Sequence, residues 1–417
     1  MRRLLSALPA VAPLLLLPAF VPLLGGCAMD AGPTQEDLGA TNSAIIKGTN
    51  SDESQDGVVL MIDESIGAQC TGSFITPQLI LTARHCVSKT DEGSLCTTDG
   101  RAVQGGKAGA DLNPTTMGFV VGATVGRGSG YAARGAKILH PDSNVICNAD
   151  IAIVQLDKPV VGAKVMPLRL DAPAEVGAKI TAIGWGVTDK TPQTSTRQTR
   201  TDIPILAVGP KEEQKAGNLS LGIADREFEV GESICSGDSG GPAVDVDSGA
   251  ILGTVSRGGN GSQSSDPAAG CIGSNTKNIY TAVAGFGDFI RGAADDIGQP
   301  LWLEGQENPY HKGFGAVCND SLSCESTECT EQPGGTKTCT QTCDDNNACP
   351  DGFSCNDVDG KNLCISKYPV DPNGNQIITK KGCAVTPEPA GGSGASVAGV
   401  FAALGLVVAR VLRKKSA

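Results

Sequence analysis

The chain has 417 residues, 40% hydrophobic and only 4% aromatic, with 55 glycines, 24 prolines and a formal net charge of −12 at pH 7. That length exceeds what one compact domain usually needs, and the acidic balance excludes nucleic acid and anionic lipid as principal partners. Sixteen cysteines, clustered rather than scattered, point to an oxidising compartment. Histidine occurs only at 85, 140 and 311, so any chemistry needing an imidazole must draw on one of these three.

In chain order, residues 1–26 read as a secretory signal. Arg2 and Arg3 precede an apolar run, small residues follow, and prolines at 9, 13, 18 and 22 would break a membrane helix. "LLGGC", ending at Cys27, resembles a bacterial lipobox, in which the cysteine becomes a lipidated N-terminus; an ordinary signal beside a cysteine is the alternative. Residues 27–44 are small, polar and unpatterned, a linker or propeptide. From Ile45 the texture changes to short apolar runs separated by Gly, Asp, Asn and Pro. "GVVLMI", "SFITPQLILTA", "DIAIVQL", "KITAIGWG", "AILGTVS" and "NIYTAV" read as buried strands without a βαβ rhythm. One helix closes the region, with Val283, Phe286, Phe289, Ile290, Ala293 and Ile297 on one stripe. An all-β barrel assembly over 45–300 is the expected architecture.

A linker, 301–312, leads to a small unit at 313–366. It holds eight cysteines at 318, 324, 329, 339, 343, 349, 355 and 364 and almost no aliphatic core, so it needs disulfide staples to fold. Four bridges are expected, their connectivity open among about 105 pairings. The cluster contains no histidine and no repeated C-x-x-C pairs, which disfavours zinc, and no metal or cofactor is expected anywhere in the chain. A spacer, 367–392, precedes a tail, 393–417. No charge occurs from Pro389 to Ala409, and "ARVLRKK" follows. The run could span a bilayer with its basic flank cytoplasmic. With "KGCAV" around Cys383 and the "TPEPAGGSG" spacer it resembles myxobacterial sorting tails; a plain membrane anchor is the other reading.

Three separated segments converge on one chemistry. "CSGDSGGP", Cys235 to Pro242, is either a glycine-rich loop or a strained turn presenting Ser239. "LTARHC" places His85 at the end of an apolar strand, and "NADIAIVQL" puts Asp150 at the mouth of another, where burying its charge is costly unless something uses it. A serine hydroxyl needs a base to become a nucleophile, and a histidine oriented by a carboxylate supplies one.

"IIKGT", "LTARHC", "DIAIVQL", "GWG", "CSGDSGGP", "GTVSRG" and "IYTAV" follow the order and rough spacing of the trypsin/chymotrypsin-like serine proteases, which the chain resembles from residue 45 to about 297. The resemblance implies two packed six-stranded antiparallel β-barrels with a C-terminal helix and a site in the cleft between them. It implies a triad of His85, Asp150 and Ser239, an oxyanion hole from the backbone N–H groups of Gly237 and Ser239, and Ser256 supporting the aspartate. It also implies activation by a freed Ile45 amine inserting beside Asp238, although Ala44, not Arg or Lys, precedes Ile45. Ser233 falls at the base of the specificity pocket where an aspartate would select Lys or Arg. Asn278 falls at a second pocket position and Gly258 at an open entrance, so a neutral side chain before the scissile bond is expected. Arg84 and Arg257 depart from the family pattern, Arg257 as a cationic rim on the substrate site. Cys70 matches the partner of Cys86, and Cys235 that of Cys271, which leaves Cys96 with Cys147. His140 takes a structural position and His311 lies in the linker.

The expected function is an exported serine endopeptidase acting on protein or peptide substrates, cell-surface or outer-membrane associated or released after tail processing. The alternatives are a catalytically silent binding protein of the same fold, or a surface adhesion or docking protein that works through its cysteine-rich unit.

Overall fold

The computed structural model describes residues 45–378 apart from 92, 127–128, 189–194, 263 and 267. The expected signal, Cys27, the 27–44 segment, the part of the expected spacer beyond 378 and the 393–417 segment therefore lie outside the described residues. Among the described residues no helix is long and apolar enough to cross a membrane. The chain divides into two units, with the boundary between Pro309 and Tyr310.

In the first unit, the strands Ala133–Leu139, Ala152–Leu156, Leu79–Thr82, Ala68–Thr76, Val58–Asp63 and Met117–Val120 close in that order into an antiparallel barrel. Val58–Asp63, Leu79–Thr82 and Met117–Val120 carry near-continuous apolar runs because both of their faces are buried. Val59, Met61, Phe74, Ile80 and Val154 fill the barrel. Their neighbours Ile75, Leu79, Leu81 and Ile153 pack outward against Val283, Phe286 and Ile290 of the C-terminal helix. Period-two alternation thus distributes one strand between two cores.

A second six-stranded barrel follows the order Gln198–Val208, Lys179–Gly184, Pro242–Asp245, Ile251–Gly259, Lys277–Ala282 and Glu227–Val230. The pairing of Ile205 with Val230 closes it, and Thr49–Asn50 adds a short edge strand. Ile180, Ile203, Leu252 and Val255 line its core around the stacked rings of Phe228 and Tyr280, 5.3 Å apart. The expected helix starts as a 3₁₀ turn, Val283–Phe286, and continues as Gly287–Asp295. Val283, Phe286, Ile290 and Ala293 are buried on the predicted stripe, with Phe289 and Ile297 partly so. Beyond it, Leu168 bridges Leu303, and Arg169 grips Glu304 at 2.5 and 2.6 Å, which fastens 301–304 onto the barrels.

Among the strand pairs with no counterpart in the sequence reading is an exposed hairpin. Lys211–Ala216 pairs with Leu219–Ile223, and every residue of its first strand is exposed. Without a buried face, "KEEQKA" carries no hydrophobic period to read.

The second unit is built from two successive four-cysteine modules. Cys318–Cys329 and Cys324–Cys339 staple the hairpin of Cys329–Glu331 and Lys337–Cys339. Cys343–Cys355 and Cys349–Cys364 staple that of Phe353–Val358 and Lys361–Ser366. Each module joins its first cysteine to its third and its second to its fourth. The unit is a tandem repeat, and its eight cysteines are all bridged.

Candidate active site

Strand register brings His85 to Asp150. Ala152 lies opposite Thr82 in the first barrel, so the residues running out past both strand ends face each other. His85 occupies the 3₁₀ turn Arg84–Cys86, which Cys86 fastens to Cys70. The His85 Nδ1 lies 2.8 Å from Asp150 Oδ2, and the His85 backbone N–H donates to Oδ1 at 3.0 Å. Ser256 Oγ, from the second barrel, donates to Oδ2 at 2.7 Å. The Asp150 side chain is fully buried and that of His85 is one fifth exposed.

Burial opposes the charge of both groups, but their mutual attraction prevails. Burial pushes the imidazole pKa down, but the Asp150 charge and hydrogen bond raise it by more, leaving His85 above its ordinary value. For Asp150, burial raises the pKa, and the His85 charge with hydrogen bonds from His85 and Ser256 brings it below the usual carboxylate range.

Ser239 stands in a loop pinned from several sides. Thr71 N–H donates to Ser239 O at 2.8 Å, and Thr71 Oγ1 donates to Gly237 O at 2.9 Å. Cys235–Cys271 closes the loop's base. Gly237 has φ +99°, and a Cβ there would lie 2.8 Å from Gly186 Cα. Gly240 has φ +76°, and a Cβ would meet Thr82 Oγ1 at 2.1 Å and Ala83 N at 2.8 Å. The loop therefore presses against the strand end that carries His85, which is possible only because residue 240 lacks a side chain. Among the described residues, the N–H groups of Gly237 and Ser239 have no hydrogen-bond acceptor.

Asp238 is fully buried and accepts from Gly186 N–H and Cys235 N–H, both at 2.8 Å. Burial outweighs those bonds and pushes its pKa up to about 8. Nearby, the Ile45 and Ile46 side chains are fully buried, and Ile46 N–H donates to Ser233 O at 2.9 Å. Arg200 reaches both Ile46 O, at 3.0 Å, and Glu232 O, at 2.8 Å, which couples this segment to the Ser233 loop.

Asn278 crosses to Ser233. Its Nδ2 donates to Gly231 O at 2.8 Å and to Ser233 Oγ at 3.2 Å, and Ser233 Oγ donates to Gly231 O at 3.1 Å. A Cβ on Gly258 would fall 2.1 Å from Asn278 Oδ1, so the amide lies directly beneath Gly258.

The remaining candidates lie outside this constellation. Arg84 is buried and donates to Ser88 Oγ at 2.6 Å. His140 contacts Pro141 O and Asp111, and His311 belongs to the second unit. Cys96 is bridged to Cys147, three residues before Asp150. Arg257 corrects one expectation. It is no free cationic rim, because its guanidinium is clamped at 2.6 and 2.7 Å on the fully buried carboxylate of Glu227. Sequence reasoning missed Glu227 and Thr71. The first left a signal: in "EFEV", acidic residues alternate with apolar ones in a strand whose four positions are all buried. Thr71 left none.

A family model described as Trypsin matches residues 45–290, more than half of the chain. Anionic trypsin of Canis lupus familiaris is 29% identical, covering 53% of this chain and 78% of that protein. Trypsin eta of Drosophila erecta is 26% identical, covering 54% and 78%. A protein C activator of Agkistrodon contortrix contortrix is 27% identical, covering 54% and 85%.

Proposed function

Because the chain belongs to the trypsin family and is a trypsin-like serine endopeptidase, we propose that it cleaves peptide bonds through an acyl-enzyme on Ser239. His85 acts as base and then acid, and Asp150 fixes the imidazole. The observation that carries this reading is the 2.8 Å contact between His85 Nδ1 and a fully buried Asp150. Such a contact keeps the proton on Nδ1 and leaves Nε2 to take the serine proton. As Ser239 attacks, the carbonyl oxygen gains charge that the Gly237 and Ser239 N–H groups stabilise. One such donor is worth about 2.7–4 kcal/mol in the transition state. His85 then protonates the leaving amine, and water repeats the sequence to free Ser239.

The raised His85 pKa fixes the acid limb of the pH profile. An imidazolium cannot accept the serine proton, so kcat/KM rises with pH through a midpoint above the ordinary value of about 6.5. A pH series on a neutral peptide substrate checks this, and a midpoint at or below 6.5 contradicts it.

Specificity follows from the absence of charge on Ser233 and Asn278, whose polar atoms already bond to one another. The pocket beneath Gly258 takes a neutral side chain rather than Lys or Arg. Activation requires cleavage after Ala44 by an enzyme that is not Lys/Arg-specific. The seven disulfides suit export to an oxidising environment, where protein or peptide substrates are met. The comparisons are with proteases, which favours catalysis over a silent binding role.

The test is a fluorophosphonate probe on protein beginning at Ile45, read by intact mass, with Ser239→Ala as control and a peptide library on the labelled enzyme. An adduct on wild type alone, with a library profile of neutral residues before the cleaved bond, is expected. No adduct on folded protein sinks the catalytic reading, and a profile dominated by Arg or Lys sinks the pocket assignment.

A further inference from the structure

Beside His85 runs an open groove of about 640 Å³, bordered by Leu95, Ile146, Ser256, Arg257 and Gly258. It also holds the ammonium-bearing Lys277. Two cations in a substrate groove should draw acidic segments. Each is already paired with a carboxylate. Lys277 pairs with Glu213 of the exposed hairpin and lies 3.8 Å from Glu229. Arg257 is held on Glu227 by a two-point grip, NH1 to Oε1 and NH2 to Oε2.

Glu227 and Glu229 are two apart on one strand, so they share a face. Glu227 does more than neutralise. Its Oε1 also accepts the Asn148 N–H at 2.8 Å, and its Oε2 the Ala224 N–H at 3.0 Å. Asn148 lies two residues before Asp150, and Arg257 directly follows Ser256, which donates to Asp150. One fully buried carboxylate therefore ties the groove wall of the second barrel to the turn that delivers Asp150 from the first.

Resting on the protease reading above, we propose that Glu227 is a specificity-determining residue acting through Arg257. By occupying the guanidinium it makes the groove wall neutral, so the subsites for residues preceding the scissile bond take uncharged peptide segments. The position that would otherwise present a cation to substrate presents a planar, charge-matched surface. A bidentate guanidinium–carboxylate pair is rigid and strongly directional, and removing either partner exposes the charge of the other.

The experiment profiles a peptide library with wild type, Glu227→Gln, Arg257→Gln and the double variant, each titrated with the fluorophosphonate probe so that only competent enzyme is compared. Glu227→Gln frees the cation and is expected to enrich Asp and Glu before the scissile bond at least tenfold over wild type. Arg257→Gln exposes the carboxylate and enriches Lys and Arg instead. The double variant returns to uncharged residues. A merely structural role would not reverse sign between the two single changes. A labelled Glu227→Gln enzyme with the wild-type profile overturns the inference. So does a labelled Arg257→Gln enzyme without the opposite shift, which decides alone should Glu227→Gln fail to fold. Wild type that takes no adduct overturns the protease reading and this inference together, whereas wild type that labels while the variants keep its profile overturns this inference alone.

Discussion

Replacing Asp150 by asparagine is expected to lower kcat about 10⁴-fold with little change in KM or in the fold. The carboxylate accepts three hydrogen bonds: from the His85 backbone N–H, from the imidazole and from Ser256 Oγ. An amide of the same shape can satisfy only some of them. With its oxygen toward the His85 N–H, its NH₂ faces Nδ1, and the imidazole must turn to the tautomer protonated at Nε2. That nitrogen then cannot take the Ser239 proton. The imidazolium also loses the buried negative charge that holds its pKa above the ordinary value. Steady-state kinetics with thermal melting as a folding control measures the effect. A folded variant within tenfold of wild type would mean that Asp150 does not orient the base.

The second large effect concerns Ile45 and Asp238. Ile45→Gly is expected to reduce kcat/KM about 10²–10³-fold, and Asp238→Asn by a similar amount. Asp238→Asn removes one partner of the buried pair, and breaking such a pair costs about 3–5 kcal/mol, whereas Ile45→Gly keeps the amine and loses the side chain that seats it. The Ile45 side chain is fully buried in the second-barrel core with Phe228 and Tyr280, so its loss also removes apolar anchoring. Both changes release the loop that positions Gly237, because Asp238 holds Cys235 N–H and Gly186 N–H at its two ends. The uncleaved chain offers an independent check. Its Asp238 pKa, about 8, is raised above the unfolded value of 3.8. The folded carboxyl keeps its proton where the unfolded one has lost it, so this contribution to stability is full below pH 3.8 and is lost as pH rises through about 8. A freed ammonium at Ile45 lowers that pKa and removes the trend. Melting temperatures of cleaved and uncleaved protein between pH 4 and 8 should therefore diverge as pH rises. Parallel curves, or full activity in Asp238→Asn, would refute insertion of the Ile45 amine.

Much of the fold was legible because burial leaves a local trace. Apolar runs such as "GVVLMI" and "DIAIVQL" mark strands buried on both faces, and the stripe from Val283 to Ile297 marks the helix. His85, Asp150 and Ser239 could be nominated from motif blocks in a fixed order. Gly237 was legible because a backbone at positive φ selects glycine.

Other features leave no such trace. The hairpin at 211–223 has an exposed first strand and is defined by pairing, not by a hydrophobic period. The cysteines at 318–364 announce that bridges form, but which sulfurs meet depends on the two hairpins that bring them together. Arg257 in sequence is a cation beside the site; in the folded protein it is matched by Glu227, thirty residues away. Apolar runs, groups able to do chemistry and glycines at sharp bends could be read along the chain, because each depends on a residue's own side chain and near neighbours. Which groups meet depends on contacts between distant segments. Strand register, loop closure and the filling of a shared core set those partnerships, among them the pairing of Arg257 with Glu227.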